Sequence, residues 1–322
     1  MVTPTDVAII GSGPAGYTAA LYAARADLRP IVFEGALAPG GSLMTTSEVE
    51  NFPGFPDGIT GPELMSRMRE QAQRFGARLV PEDVVDIDVT GDIKLMRTED
   101  GEEYGARAVI LAMGSEYRRL DLPNETRLAA RGVSWCATCD APFFRDKRVA
   151  VVGGGDSALE EATYLAKFAR SVTIVHRRDE FRASKVMIQR LQAHPSIDVR
   201  WNSEVEDFIG DESVEGVVVR DVRDHTVSRI PVDGAFIAIG HSPRSGLVAG
   251  AVRLTPSGHV AVIPGTSRTD VAGVFACGDL VDARYRQAVT AAGSGCQAAL
   301  DVEAHLAHST APSDNLMKGL VA

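Results

Sequence analysis

Two cysteines, Cys136 and Cys139, enclose Ala-Thr and are followed at once by Asp140. Thiols at this spacing either bind a metal or cycle between dithiol and disulfide by thiolate attack. A zinc site needs two further ligands at suitable spacing. The other cysteines, Cys277 and Cys296, have 18 residues between them and offer no second pair; they read as small buried hydrophobes. Redox exchange is the favoured reading, with no metal expected. A carboxyl beside a dithiol suits a general acid that protonates a departing thiolate. Asp140 suits equally a cap for a helix opening at Ala141-Pro142, and the two roles are compatible.

Glycine clusters supply the next chemistry. The apolar run Asp6–Ile10 leads into Gly11-Ser12-Gly13-Pro14-Ala15-Gly16 and then an alanine-rich stretch, and a second apolar run, 29–33, ends on Glu34. A strand, a glycine turn, a helix and an acid 18 residues past the third glycine (16 to 34) form a dinucleotide fingerprint. The glycines let a pyrophosphate approach the helix N-terminus, and the acid accepts bonds from ribose hydroxyls. The pattern returns at 147–152 with Gly153-Gly-Gly155-Asp156-Ser157-Ala158 and the strand 171–175. At the same offset of 18 (158 to 176) stand His176, Arg177 and Arg178, with Arg182 a turn further on. The charge has inverted. An acid selects a free 2′-hydroxyl, whereas a basic cluster accommodates a 2′-phosphate. The expectation is FAD on the first fingerprint and NADPH on the second; a solvated basic helix start is the competing reading of 176–182.

These motifs require elements to position them. A third glycine signal, the strand ending at Gly278-Asp279, suits a carboxylate reaching a ribityl hydroxyl of FAD, and a helix starting near Arg286-Gln287-Ala288 would point its N-terminus at the flavin. FAD contacts thus bracket the NADPH unit. The expected fold class is α/β, with two Rossmann-like dinucleotide-binding domains and the NADPH domain inserted in the FAD domain. The boundaries read 1–117, 118–245 and 246–322, with polar linkers at the crossings. Nicotinamide and disulfide must both meet one flavin ring, so the inserted domain is expected to turn on its linkers.

Length and composition are consistent with this. A chain of 322 residues accommodates two domains. A net charge of −10 argues against a nucleic-acid surface. Apolar runs such as Gly234–Gly240 are too short to span a bilayer. The N-terminus has neither a basic n-region nor an apolar h-region, so a cytoplasmic location is expected.

With these motifs in place, the chain resembles the bacterial low-molecular-weight thioredoxin reductases of the class II pyridine nucleotide-disulfide oxidoreductases, and their actinobacterial members most. The likeness rests on GSGPAGYTAA (11–20), EVENFPGF (48–55), WCATCD (135–140), GGGDSA (153–158), HRRDEFRA (176–183) and YRQAVTAAGSG (285–295). It implies a homodimeric oxidoreductase that moves electrons from NADPH through FAD to Cys136–Cys139 and on to thioredoxin. Cys139 would face the flavin, Cys136 would attack the partner, and Asp140 would be the acid. FAD contacts would fall on Ser12 to Ala15, on the stretch from Glu34 to Ser42 that includes Gly35, Gly40 and Gly41, and on Asn51, Val84, Asp279, Arg286, Gln287, Ala288 and Val289. NADPH contacts would fall on Ser157, His176, Arg177, Arg178, Arg182 and Ile239. Ser42 departs from the glutamine of many relatives. The alternative is a related FAD-dependent dithiol oxidase, or a reductase of another small redox protein.

Overall fold

The computed structural model describes residues 3–36, 39–46 and 48–310. It divides into two compact units, Met1–Glu116 with Ser242–Ala322, and Tyr117–His241. The changeovers fall one and four residues ahead of the expected boundaries after 117 and 245. Side-chain packing explains the shift. The Tyr117 ring lies 4.6 Å from His241 and 6.2 Å from Trp135, all in the second unit. Within the first unit, Arg244 N donates to Gly114 O at 3.0 Å and Ser245 Oγ to Gly258 O at 2.6 Å.

The first unit opens with β1 (Thr5–Ile10), α1 (Pro14–Arg25), β2 (Pro30–Phe33), α2 (Gly61–Arg74) and β3 (Arg78–Val80). A meander of β4 (Val84–Asp88), β5 (Lys94–Thr98) and β6 (Glu103–Leu111) follows, and β7 (Ser115–Tyr117) carries the first crossing. The sheet order is β3-β2-β1-β6-β5-β4. The β1 to β3 strands and β6 run parallel, while β5 is antiparallel to both β4 and β6. Parallel strands are covered on both faces and read as continuous apolar runs. Accordingly Val7 and Ile9 enter one core and Ala8 and Ile10 the other.

The second unit repeats the plan. It contains α3 (Pro123–Arg127), β8 (Val133–Ser134), α4 (Ala137–Asp140), β9 (Arg148–Val152), α5 (Asp156–Leu165), β10 (Ser171–Val175), α6 (Lys185–Gln192) and β11 (Ile197–Arg200). An antiparallel ribbon of β12 (Ser203–Ile209), β13 (Gly216–Asp221) and β14 (Val227–Ile230) precedes β15 (Gly234–Ile237). The parallel sheet runs β11-β10-β9-β15-β8. Val149 and Val151 face one core, Ala150 and Val152 the other.

The second crossing, β16 (His241–Pro243), returns the chain to the first unit, where β17 (Val274–Ala276) adds beside β6 and α7 (Ala288–Thr310) packs on α1. Alanines 15, 19, 20 and 23 of α1 share a core with Ala291, Ala298 and Ala299 of α7. Small side chains let the two helices approach closely. Both units are thus doubly wound α/β folds, as the motifs anticipated.

Candidate active site

In each unit the fingerprint lies at the point where strand order reverses, the usual ligand crevice of such sheets. In the first, β1 has β2 on one side and β6 on the other. Gly11 follows β1 with φ +109°, and a β-carbon there would overlap the Ala112 carbonyl just past β6. Gly16 lies so close to the Gly11 carbonyl that a β-carbon is excluded there too. Gly13 differs: a β-carbon on it would meet nothing within 4 Å. It precedes α1, which has Pro14 in its first turn and no side-chain cap, so the leading N–H groups are available to an anion. A pyrophosphate fits this cradle.

The flanking residues close around it. Ser12 Oγ donates to Glu34 O at 2.7 Å and accepts from Gly40 N at 2.9 Å, holding the Gly40-Gly41 turn against Gly13. Glu34 is buried, and its carboxylate already has protein partners. Tyr17 Oη donates to it at 2.6 Å, and Arg69 of α2 grips it through Nε at 2.8 Å and a terminal nitrogen at 3.0 Å. Sequence reasoning missed Tyr17 and Arg69. Gly35 turns at φ +84°, with Asp83 accepting from Ala36 N at 3.1 Å. Ser42 is exposed and Val84 half-buried at the head of β4. Leu37 and Ala38, within the stretch implied for FAD, lie outside the described residues.

The C-terminal signals converge on the same turn. A β-carbon on Gly278 (φ +69°) would crowd Ala15, and one on Gly295 of α7 would overlap the Ala15 carbonyl. Ala15 is therefore clasped from both sides, and Gly278 N donates to Ser294 Oγ at 2.8 Å. Asn51 Nδ2 donates to Gln287 Oε1 at 3.3 Å, joining two residues 236 positions apart. Arg286 adopts φ +49°, held by its N–H donating to Asp282 at 2.9 Å, just ahead of Ala288 and Val289, which open α7. The Asp279 carboxyl is pushed up to about 6, first by burial and then by the nearby Asp282 charge, against a hydrogen bond from Ser115.

The second unit copies the switch point. Gly153 follows β9, and a β-carbon there would overlap the Ala238 carbonyl just past β15 and crowd Ala158. Gly155 is open like Gly13, and α5 also starts without a side-chain cap. Asp156 accepts from Ser184 N at 2.8 Å, while Ser157 lies half-buried behind it. Ile239 packs against the core that contains Val152 and Ile237.

His176 is not an exposed cation. Its ring is 7% exposed, stacks on Phe181 at 5.7 Å, meets Trp201 edge-on, and bonds the Glu180 carbonyl through Nε2 at 2.9 Å. Burial, the largest influence, lowers its pKa, and the neighbouring arginines lower it further. The imidazole lies under Gly154, where a β-carbon would strike it. The exposed cations of this stretch are Arg177, Arg178 and Arg182.

The cysteines stand in this same unit. Cys136 and Cys139 are joined as a disulfide, with Cα atoms 5.3 Å apart. Cys136 precedes α4, and Cys139 N donates to its Sγ at 3.2 Å. Such a donor stabilises sulfur as thiolate. Asp140 closes α4 and is not a side-chain cap for the following turn. Its carboxylate accepts from Ser134 Oγ at 2.6 Å, and burial raises its pKa against that bond. Cys277 is fully buried, its thiol pushed up to about 12, and takes no part. Among the described residues, no group of three His, Cys, Asp or Glu is arranged to hold a metal.

Two dinucleotide cradles and a disulfide define a class. Residues 5–295 match the family model of pyridine nucleotide-disulphide oxidoreductases, and the chain belongs to that family. The thioredoxin reductase of Streptomyces coelicolor is 58% identical over 302 residues, covering 94% of each chain. That of Mycolicibacterium smegmatis is 58% identical over 305 residues, covering 95% of this chain and 97% of its own. The solved thioredoxin reductase of Streptococcus pyogenes matches with TM-score 0.90 at 41% identity, covering 96% of this chain and all of that one (100%).

Proposed function

We propose that this chain is an NADPH-dependent flavoprotein that reduces the disulfide of thioredoxin. The observation that carries the reading is the Cys136–Cys139 disulfide with the half-buried Asp140 carboxyl beside it, in a chain 58% identical to thioredoxin reductases. One relative, from Mycobacterium leprae, is a bifunctional thioredoxin reductase/thioredoxin, 56% identical over 310 residues and matched over 68% of its length.

The first unit would hold FAD. Gly11, Gly13, Pro14, Ala15 and Gly16 form its pyrophosphate cradle with Ser12, Gly40 and Gly41. Glu34, oriented by Tyr17 and Arg69, lies at the ribose end; Asp279, Asn51, Gln287 and the start of α7 receive the rest. The second unit would hold NADPH on Gly153, Gly155 and Ser157, with Arg177, Arg178 and Arg182 pairing its 2′-phosphate and neutral His176 supporting the turn. The two cofactors supply hydride transfer and a two-electron relay to the disulfide.

The chain's own residues manage sulfur and proton. Cys136, with a backbone donor on its sulfur, attacks the partner's disulfide; Cys139 resolves the mixed disulfide; Asp140 holds the proton that the departing sulfur receives.

We also infer a homodimer in the cytoplasm. Tyr22 of α1 and Val289 and Leu300 of α7 are exposed apolar residues. The last two, about three turns apart, share one face of the helix. No described helix is long and apolar enough to cross a membrane.

The test is reduction of a disulfide dye by NADPH, with and without added thioredoxin. Strong stimulation by thioredoxin and preference for NADPH over NADH are expected. Equal activity without thioredoxin, or preference for NADH, overturns the reading.

A further inference from the structure

We propose that Ser134 is a positioning residue for thiol–disulfide exchange, its hydroxyl tying the Asp140 carboxylate to the backbone of the attacking Cys136. The proposal rests on the reading above, in which Asp140 is the acid.

Ser134 ends β8 and is 4% exposed. Parallel pairing of Val133 with Ala235 and of Ser134 with Phe236 fixes its backbone in the sheet. Its hydroxyl is fully committed. It donates to Asp140 Oδ2 at 2.6 Å and accepts from Cys136 N at 3.1 Å. A hydroxyl has one proton to give, so the N–H of Cys136 and the carboxylate together leave the rotor no freedom. Asp140 N donates to Cys136 O at 3.1 Å, which closes a ring from serine to carboxylate, to helix backbone, to cysteine and back. The carboxyl therefore cannot swing away from the disulfide without breaking a short bond to a residue anchored in the sheet.

The ring sits where the proton must be timed. Reduced Cys136 attacks one sulfur of the partner's disulfide: the Cys136–partner S–S bond forms, the partner's own S–S bond breaks, and the freed partner sulfur takes up the proton that the Cys136 thiol gave up on becoming a thiolate. Cys139 then gives its thiol proton to Asp140 and attacks Cys136 Sγ. The Cys136–Cys139 bond re-forms, and the second partner sulfur leaves with the proton from Asp140. Two electrons and two protons pass from the enzyme dithiol, which is oxidised, to the partner disulfide, which is reduced. The acid must release its proton at the second departure. Burial favours the protonated carboxyl, and the Ser134 hydroxyl, which bonds the ionised form better, opposes it. Ser134 thus places the acid and keeps it able to ionise.

The experiment compares the holoenzyme with Ser134→Ala, Ser134→Thr and Asp140→Asn, measuring NADPH-driven thioredoxin reduction from acid to neutral pH. Bound-flavin absorbance and thermal melting report folding. Ser134→Ala is expected to lower kcat about tenfold, part of the roughly 10²–10⁴ that a placed general acid contributes. It should also move the acid limb of the profile to higher pH, because the carboxyl that must be ionised to take the Cys139 proton loses the bond that favours ionisation. Ser134→Thr, which keeps the hydroxyl on a strand, should restore both rate and limb. If the alanine variant does not fold, near-isosteric Ser134→Cys, a weak donor, should shift both quantities in the same direction.

Ser134→Ala or Ser134→Cys with wild-type kcat and an unmoved limb overturns the proposal, as does failure of threonine to rescue. The Asp140→Asn arm separates the two levels of inference. If Asp140→Asn is slow while the Ser134 variants are normal, only the positioning role falls. If Asp140→Asn turns over at the wild-type rate, the acid itself is misassigned and the positioning role falls with it.

Discussion

The two units place a glycine at the same reversal of strand order and a polar residue at the same distance beyond it, yet Glu34 and His176 end in different company. Glu34 sits in a carboxylate–arginine–tyrosine cluster, its side chain 1% exposed against 39% for Arg69. His176 sits between aromatic rings with its Nε2 on a backbone carbonyl. In both, the residue picked out by offset is buried, and the more exposed charges are its neighbours. One plan of glycine and helix N-terminus is thus specialised by what surrounds the end of the second strand. Arg69 neutralises a buried acid in the first unit, and three exposed arginines advertise positive charge in the second.

The largest effects should come from the turns the units share. Gly11→Ala and Gly153→Ala each force a β-carbon into a carbonyl at a residue of positive φ, and each should cost about 3 kcal/mol or more. Gly11→Ala should purify without flavin colour. Gly153→Ala should stay yellow, yet NADPH should fail to reduce it. Loss of flavin from both would break the comparison.

Next comes the buried acid. Arg69→Ala leaves Glu34 uncompensated and should lower stability by about 2 kcal/mol, below the usual cost of breaking a buried pair because Arg69 is partly exposed. The denaturation midpoint measures it, and Arg69→Ala combined with Glu34→Gln should recover much of the loss. Replacing Arg177 or Arg178 by alanine should raise KM for NADPH about tenfold, the scale of one charge-assisted bond, and leave NADH unaffected. His176→Gln should lower the melting temperature with little change in the NADPH-to-NADH ratio. A large ratio change would restore His176 as a phosphate ligand.

A smaller effect concerns Asp279. Its folded pKa of about 6 lies above the ordinary 3.8, so the folded apoprotein holds a proton that the unfolded chain has lost. The stability this adds is fully present below about 3.8 and is lost as pH rises to about 6. Melting curves of wild-type apoprotein should show that decline, and Asp279→Asn should lack it.

Much of this was legible in the sequence because its constraints are local. A strand, a glycine turn and a helix follow one another directly between Thr5 and Arg25 and again between Arg148 and Leu165, and the Cys136–Cys139 spacing is shorter still. What escaped was tertiary. Arg69 reaches Glu34 from a helix 35 positions on, Gly295 clasps Ala15 from the far end of the chain, and Ser134 reaches Asp140 across the disulfide segment. The sign of charge at 176–178 indicated a phosphate, but could not tell which of the three residues is buried. Phe181 decides that by stacking on His176, and Trp201 by meeting it edge-on. The domain boundaries shifted for a similar reason, since a polar linker does not reveal that Tyr117 and His241 pack together.

In the proposed path electrons leave through Cys136. The direct measurement is Cys136→Ser, assayed anaerobically for bleaching of bound flavin by NADPH and, separately, for thioredoxin reduction. A flavin still reduced by NADPH and no detectable thioredoxin turnover are expected. Thioredoxin turnover near the wild-type rate in that variant would contradict that path.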